Sequence, residues 1–175
     1  MSEAARALLR DPPLAALISA LDGDGEEARV VGGAVRDALL GLRVNDVDLC
    51  ATAAPQEVAR RVRRFGWKAV PTGVEHGTWT VVIEGRAFEV TSLREDVETF
   101  GRKATVRFGR DFRADALRRD FTINALSLDR AGTLHDYAGG LEDLAARRVR
   151  FIGDPRTRIR EDYLHQNAYH EVDTY

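Results

Sequence analysis

Cysteine is nearly missing from this chain. Cys50 is the only one among 175 residues, so no internal disulfide can form and a secreted disulfide framework is excluded. A reducing compartment, the cytoplasm, is the expectation. Long apolar runs are missing as well: no stretch approaches the ~20 apolar residues that a membrane-spanning helix needs. The opening MSEAARALLRDPP lacks the apolar centre of an export signal, and no membrane association is expected. Lysine occurs twice against 24 arginines. Genome base composition accounts for the larger share of such a bias, although guanidinium groups also suit bidentate contacts to phosphate. What remains is a globular mixture, 44% hydrophobic and 31% charged, of a length that fits one domain. A chain of ~150 residues buries roughly two-thirds of the surface its unfolded form exposes, so a core needs no covalent staple.

The formal net charge of −2 conceals a segregation along the chain. Residues 1–30 hold six acids and three bases, 101–120 hold seven bases and three acids, and 145–160 hold six bases and one acid. Such blocks leave room for a face that binds a polyanion.

Apolar spacing predicts a short turn before Pro12-Pro13 and a helix over about 13–21. Ala28–Val31 reads as a short buried strand running into Gly32-Gly33, and a helix over 34–40, closed by Gly41, follows. From Val44 to Cys50 the residues alternate, with Asp46 and Asp48 on one face and Val47 and Leu49 on the other, which is strand periodicity. Pro55 opens a helix over 55–65. A strand is expected at Trp67–Val70, and a hairpin from Thr78–Ile83 and Ala87–Thr91. The charged stretch 92–113 is too long for an ordinary connection, a property of functional loops. Ala114–Ala125 predicts a helix, Leu126–Asp129 a strand and Leu141–Ala146 a short helix.

The polar face of the 44–50 strand carries the chemistry. Asp46 and Asp48 project from one side, and two carboxylates held together repel unless one takes a proton or a cation sits between them. Hard oxygen donors favour magnesium or manganese over zinc. A bare Asp-x-Asp more often caps a turn and pairs with an arginine. The segment Val30-Val-Gly-Gly-Ala-Val-Arg-Asp37 raises its standing, because two glycines between a strand and a helix let phosphate oxygens approach the backbone, and Arg36 can add a bidentate contact. The turn is neither a Walker loop nor a Gly-x-Gly-x-x-Gly fingerprint; a phosphate site beside a carboxylate pair instead points to metal-assisted phosphoryl or nucleotidyl transfer. Glu89, on the second arm of the hairpin, supplies a third carboxylate if its strand neighbours 44–50; a cross-strand partner for an arginine is an equal reading.

Three strings in order, Val31-Gly-Gly-Ala-Val-Arg-Asp-Ala-Leu-Leu-Gly41, Asp46-Val-Asp-Leu49 and Arg118-Arg-Asp-Phe-Thr-Ile-Asn-Ala125, closely resemble the catalytic head of the class II tRNA nucleotidyltransferase and bacterial poly(A) polymerase family. The resemblance runs from about Arg29 to Leu164. It implies an α+β fold like that of the polymerase beta nucleotidyltransferases, a small mixed sheet flanked by helices. It divides the chain into an N-terminal helical extension 1–27, a head 28–152, and a truncated start of a helical neck 153–175. By resemblance Asp46 and Asp48 bind magnesium; Glu89, on the strand reading above, is the candidate further catalytic carboxylate. Gly32, Gly33, Arg36 and Asp37 meet the incoming nucleoside triphosphate, Arg119 reaches its phosphates, and Asp120 and Asn124 shape the ribose side. Without the family, Arg118-Arg-Asp120 would read as a charge cluster on a helix surface.

The implied reaction transfers a nucleoside monophosphate from CTP or ATP to the 3′-hydroxyl of tRNA, releasing pyrophosphate. The alternatives are a poly(A) polymerase, or an inactive head that binds a nucleotide but lacks the RNA-holding body. Pro71-Thr-Gly-Val-Glu-His-Gly-Thr78 and Val149-Arg-Phe-Ile-Gly-Asp-Pro155 look more like the CCA-adding branch. The pattern then departs from the family. In relatives the first neck helix reads roughly Glu-Asp-x-x-Arg-x-x-Arg; here Glu161 and the base-selecting Asp162 are present, but His165 and Ala168 stand at the arginine positions. From Asp162 to Tyr175 the chain is instead similar to a C-terminal segment of the catalytic subunit of rotary V/A-type ATPases, which points to a chimeric gene product or gene model. The last residues, 165–175, are expected to fray. The four histidines lack a metal-binding spacing, and Trp67 and Trp79 read as core.

Overall fold

A computed structural model of the protein describes residues 3–97, 105–154 and 156. Asp162 and the tail 165–175 lie outside the described residues, as do 98–104 of the basic loop.

Ala28–Val31 forms β1, buried at all four positions as its apolar run requires. Helix α3, Gly33–Leu39, starts directly after it. Strand β2 covers Asp48–Ala51, shorter than the expected 44–50, and Asp46 lies in the segment leading into it. The strand-like alternation nonetheless extends backwards, because the Glu89 N–H donates to the Val47 carbonyl at 3.3 Å and Val47 is buried. Pro55–Arg64 is α4, with Pro55 in the first turn where its missing N–H costs nothing. Strands β3, Lys68–Gly73, β4, Thr78–Ile83, and β5, Arg86–Ser92, follow, the last two forming the expected hairpin. Two stretches differ from expectation. Glu3–Leu9 is a helix, α1, where the sequence predicts a turn, because Ala5 packs into the core. The 92–113 stretch contains a two-stranded ribbon, β6, Arg94–Val97, with β7, Thr105–Phe108. The α2 helix, Pro12–Leu21, agrees closely with its pattern.

A third difference bears on the site. The expected helix 114–125 is broken: α5 covers Phe112–Leu117, and Thr122–Asn124 is a separate 3-10 turn. The backbone between them is claimed by residues 150–152. The Thr122 N–H donates to the Arg150 carbonyl at 3.0 Å and the Ile152 N–H to the Asp120 carbonyl at 2.8 Å, while Phe121 packs on Phe151 with ring centroids 4.7 Å apart. Tertiary partners here outweigh helix propensity. Strands β8, Leu126–Asp129, and β9, Leu134–Asp136, and helix α6, Gly140–Ala145, complete the described elements.

Seven strands make one mixed sheet in the order β3-β4-β5-β2-β1-β8-β9. Only β2 and β5 run parallel; the other neighbours are antiparallel. Because side chains alternate across a strand, the sheet has two apolar faces. Val30, Leu49, Val90 and Leu128 meet α2, α3 and α4 in the main core through Leu14, Leu17, Val35, Val58 and Val62. Val31, Cys50, Leu93 and Phe112 form a smaller cluster on the opposite face, beneath α5. Asp48, two residues from Cys50, belongs to this second face.

Candidate active site

Strand pairing assembles the carboxylates. The parallel register of β2 on β5 sets Asp48 opposite Glu89, the neighbour relation that the third carboxylate required. Partial withdrawal from water raises the Asp48 carboxyl above the usual carboxylate range; the negative charges of Glu89 and Asp46 push it further up, and Arg119 pulls it down. Asp46, Asp48 and Glu89 all keep solvent access. Asp46, Asp48 and Glu89 are hard, anionic donors beside the central strands β2 and β5; their ligand atoms do not all lie within 4.8 Å of one another, and their chemistry suits a divalent cation such as magnesium.

The glycine turn lies beside these strands. Gly32 adopts φ +71° and ψ −137°, a conformation that disfavours any side chain, and its N–H donates to the Leu126 carbonyl at 3.2 Å. A Cβ on Gly32 would lie 3.3 Å from Nη1 of Arg119, so the turn and the guanidinium are in close approach. Arg36, one turn into α3, donates from Nε to Asp37 Oδ1 at 2.8 Å and from Nη1 to Asn124 Oδ1 at 2.8 Å. Asn124 Nδ2 in turn donates to Asp120 Oδ1 at 3.4 Å. Thus Gly32, Gly33, Arg36, Asp37, Arg119, Asp120 and Asn124, drawn from two distant stretches, line one polar surface beside Asp48. The break after α5 makes this possible, since a continuous helix would carry Arg119 and Asn124 on a rigid pitch.

One residue of this surface escaped the sequence reading. Asp115 Oδ2 accepts from Arg119 Nε at 3.3 Å and Nη2 at 3.1 Å. Its signal was the four-residue spacing to Arg119, which an ion pair across a helix turn uses. A second cluster lies elsewhere. Among the described residues, Glu27, Asp129 and His135 are the one group whose ligand atoms all lie within 4.8 Å of one another. His135 Nε2 is 2.8 Å from Asp129 Oδ2, but Glu27 is already held by Arg29 at 2.6 Å, so these histidine and carboxylate groups have protein partners. His76 likewise lies 3.0 Å from Nη1 of Arg94. Trp67 and Trp79 pack partly buried against the core, and Trp79 Nε1 donates to the Pro55 carbonyl at 2.9 Å.

A mixed sheet carrying an acidic pair beside a Gly-Gly turn defines a nucleotidyltransferase head of the polymerase beta-like fold. Residues 28–150 match the family model for the poly A polymerase head domain, and the chain belongs to that family. It is 49% identical over 139 residues to the mitochondrial CCA tRNA nucleotidyltransferase 1 of Danio rerio, covering 79% of this chain and 32% of that protein. It is 41% identical over 152 residues to the CCA-adding enzyme of Enterococcus faecalis, covering 86% of this chain and 36% of the relative. Among solved structures, the CCA-adding enzyme of Bacillus stearothermophilus in complex with CTP superposes with a TM-score of 0.76 at 37% identity, over 95% of this chain and 38% of that one. A tRNA nucleotidyltransferase complexed with a primer tRNA and an incoming ATP analog gives a TM-score of 0.65 at 36% identity, over 79% and 38%. The chain therefore spans about a third of the length of the curated relatives it matches. No helix among the described residues is long and apolar enough to cross a membrane.

Proposed function

We propose that residues 28–152 form the catalytic head of a CCA-adding nucleotidyltransferase, which transfers CMP or AMP from CTP or ATP to the 3′-hydroxyl of tRNA and releases pyrophosphate. The observation that carries this reading is the register that sets Asp48 opposite Glu89 on the face where Arg119 meets the Gly32 turn. The CTP and tRNA complexes of the structural relatives supply the substrate classes. The single buried Cys50 fits a reducing compartment such as the cytoplasm.

Asp46 and Asp48 would hold magnesium, and Glu89 would enlarge the negative field that draws it in. A bound magnesium ion would supply charge stabilisation for the oxygens of an in-line displacement. The remaining work belongs to the chain. Arg119 and Arg36 flank the glycine turn, where a triphosphate can approach the backbone, and neutralise its phosphates. Asn124, held by Arg36 and Asp120, offers a fixed amide to the sugar. No nucleophilic serine or cysteine is needed, since the attacking group is the RNA hydroxyl.

The product distinguishes this reading from poly(A) synthesis and from an inert head. A tRNA lacking its terminal CCA, incubated with the chain, magnesium, CTP and ATP, should gain C, C and A and then stop. Runs of A would assign the chain to the poly(A) branch. No extension, with nucleotide still bound, would reduce it to a binding head.

A further inference from the structure

We propose that Asp115 is a positioning residue that holds Arg119 in the conformation the triphosphate meets, an inference that rests on the function proposed above. The Asp115 carboxylate engages one edge of the guanidinium, taking Nε at 3.3 Å and Nη2 at 3.1 Å on a single oxygen. Cys50 Sγ completes the grip, 3.6 Å from the same Nη2 and 3.9 Å from Asp115 Oδ2. The nitrogen outside this grip is Nη1, which lies against the Gly32 turn. The arginine is thus held by the edge that faces the second apolar cluster, and its other terminal nitrogen is presented where phosphates would approach.

The geometry around Asp115 is itself fixed. Its N–H donates to the Asp111 carbonyl at 3.2 Å, and Asp111 caps α5 by accepting from the N–H groups of Arg113 and Ala114 at 2.9 and 3.1 Å. Arg119 stands two residues beyond the end of α5, its N–H still donating to the Ala116 carbonyl at 3.2 Å, so its backbone is tied to the helix end while its side chain is not. A long side chain there has many rotamers, and immobilising them only when the ligand arrives would weaken binding. Both side chains are only a quarter exposed, 28% for Arg119 and 25% for Asp115, so the pair is screened less than a surface ion pair. Asp115 touches no reacting atom in this scheme; it acts through Arg119.

The test is equilibrium binding of ATP and CTP, each with magnesium, to the full chain and to Asp115→Asn, Arg119→Ala and the double variant. Asp115→Asn keeps the shape but loses the charge, and should weaken binding on the order of tenfold. In the Arg119→Ala background the same change should have no further effect, because its only route to the ligand has been removed. A purely structural contribution of Asp115 would instead add to the loss from Arg119→Ala, and additive losses overturn the proposal. So does unchanged binding by Asp115→Asn beside a wild type that binds. If the wild type binds neither nucleotide, the functional reading itself fails, a different result from failure of the brace alone. Circular dichroism checks folding, and if Asp115→Asn does not fold, Asp115→Glu, which keeps the charge but shifts it by one methylene, must show the same dependence on Arg119.

Discussion

Asp48 sits where neighbouring negative charge and partial burial both disfavour its ionised form. Its carboxyl is raised in the folded protein, so its contribution to stability is present below the ordinary carboxylate range and lost as pH rises through the folded value. At neutral pH without divalent ions, Asp48→Asn should therefore melt above the wild type. Magnesium should raise the melting temperature of the wild type and leave that of Asp48→Asn nearly unchanged, because a ligand stabilises only the state that binds it. Differential scanning calorimetry with and without a chelator reads both effects; a variant that melts lower in the chelator would refute the crowding of charge. Gly32 gives a second handle. A side chain at φ +71° and ψ −137° costs about 1–3 kcal/mol in backbone strain, and its Cβ would press on Arg119. Gly32→Ala should lower the urea midpoint by a corresponding amount and weaken nucleotide binding together with it. The Gly-Gly turn and the two aspartates were legible in the sequence because their residue types have few other uses in that order. Asp115 was not, since an acid four residues before an arginine is common on any exposed helix.

The segment from α5 to β8 owes its shape to α6 more than to its own propensity. A Cβ on Gly140 would come within 2.3 Å of the Thr122 carbonyl oxygen, so α6 can approach the 3-10 turn only through a glycine. Asp143 of α6 is fully buried and accepts from Thr122 Oγ1 at 2.5 Å, Arg148 Nε at 2.7 Å and Arg150 Nε at 3.0 Å. Removing that carboxylate strands the buried Thr122 hydroxyl, whereas Arg148 and Arg150 are half exposed and can turn to water, so Asp143→Ala should cost about 1–3 kcal/mol. Denaturant unfolding measures the loss, and Asp143→Ala should also loosen Asn124 and weaken nucleotide binding, whereas a loss within a few tenths of a kcal/mol would show that α6 does not anchor the turn. None of this was readable beforehand. The 114–125 pattern is a good helical one, and nothing local in it announces that residues 150–152 will take its backbone hydrogen bonds. By contrast β1, α3, α4 and the β4–β5 hairpin were legible, because each is bounded by glycine or proline and packs the face its apolar residues mark.

The candidate site exists only because three distant stretches meet beside the central strands of the sheet. The turn after β1 brings Gly32 and Arg36, β2 and β5 bring Asp48 and Glu89, and the break after α5 brings Arg119 and Asn124. The antiparallel pairs β3–β4, β4–β5 and β8–β9 could be anticipated from short connections. The single parallel pair could not, as it needs the connection through α4 and two further strands, and this pair sets the two carboxylates side by side. The sequence left that link conditional on the two strands being neighbours, and the register supplies it. The decisive measurement is transfer of label from [α-32P]CTP to tRNA lacking its terminal CCA, in magnesium, by this chain and by its Asp48→Asn variant. Label on the tRNA with the wild type and a fall of at least about a hundredfold with Asp48→Asn is the expected result, in the range that loss of one electrostatic contact in a transition state produces. Equal labelling by the two proteins would mean that the chemistry does not use the Asp48 carboxylate.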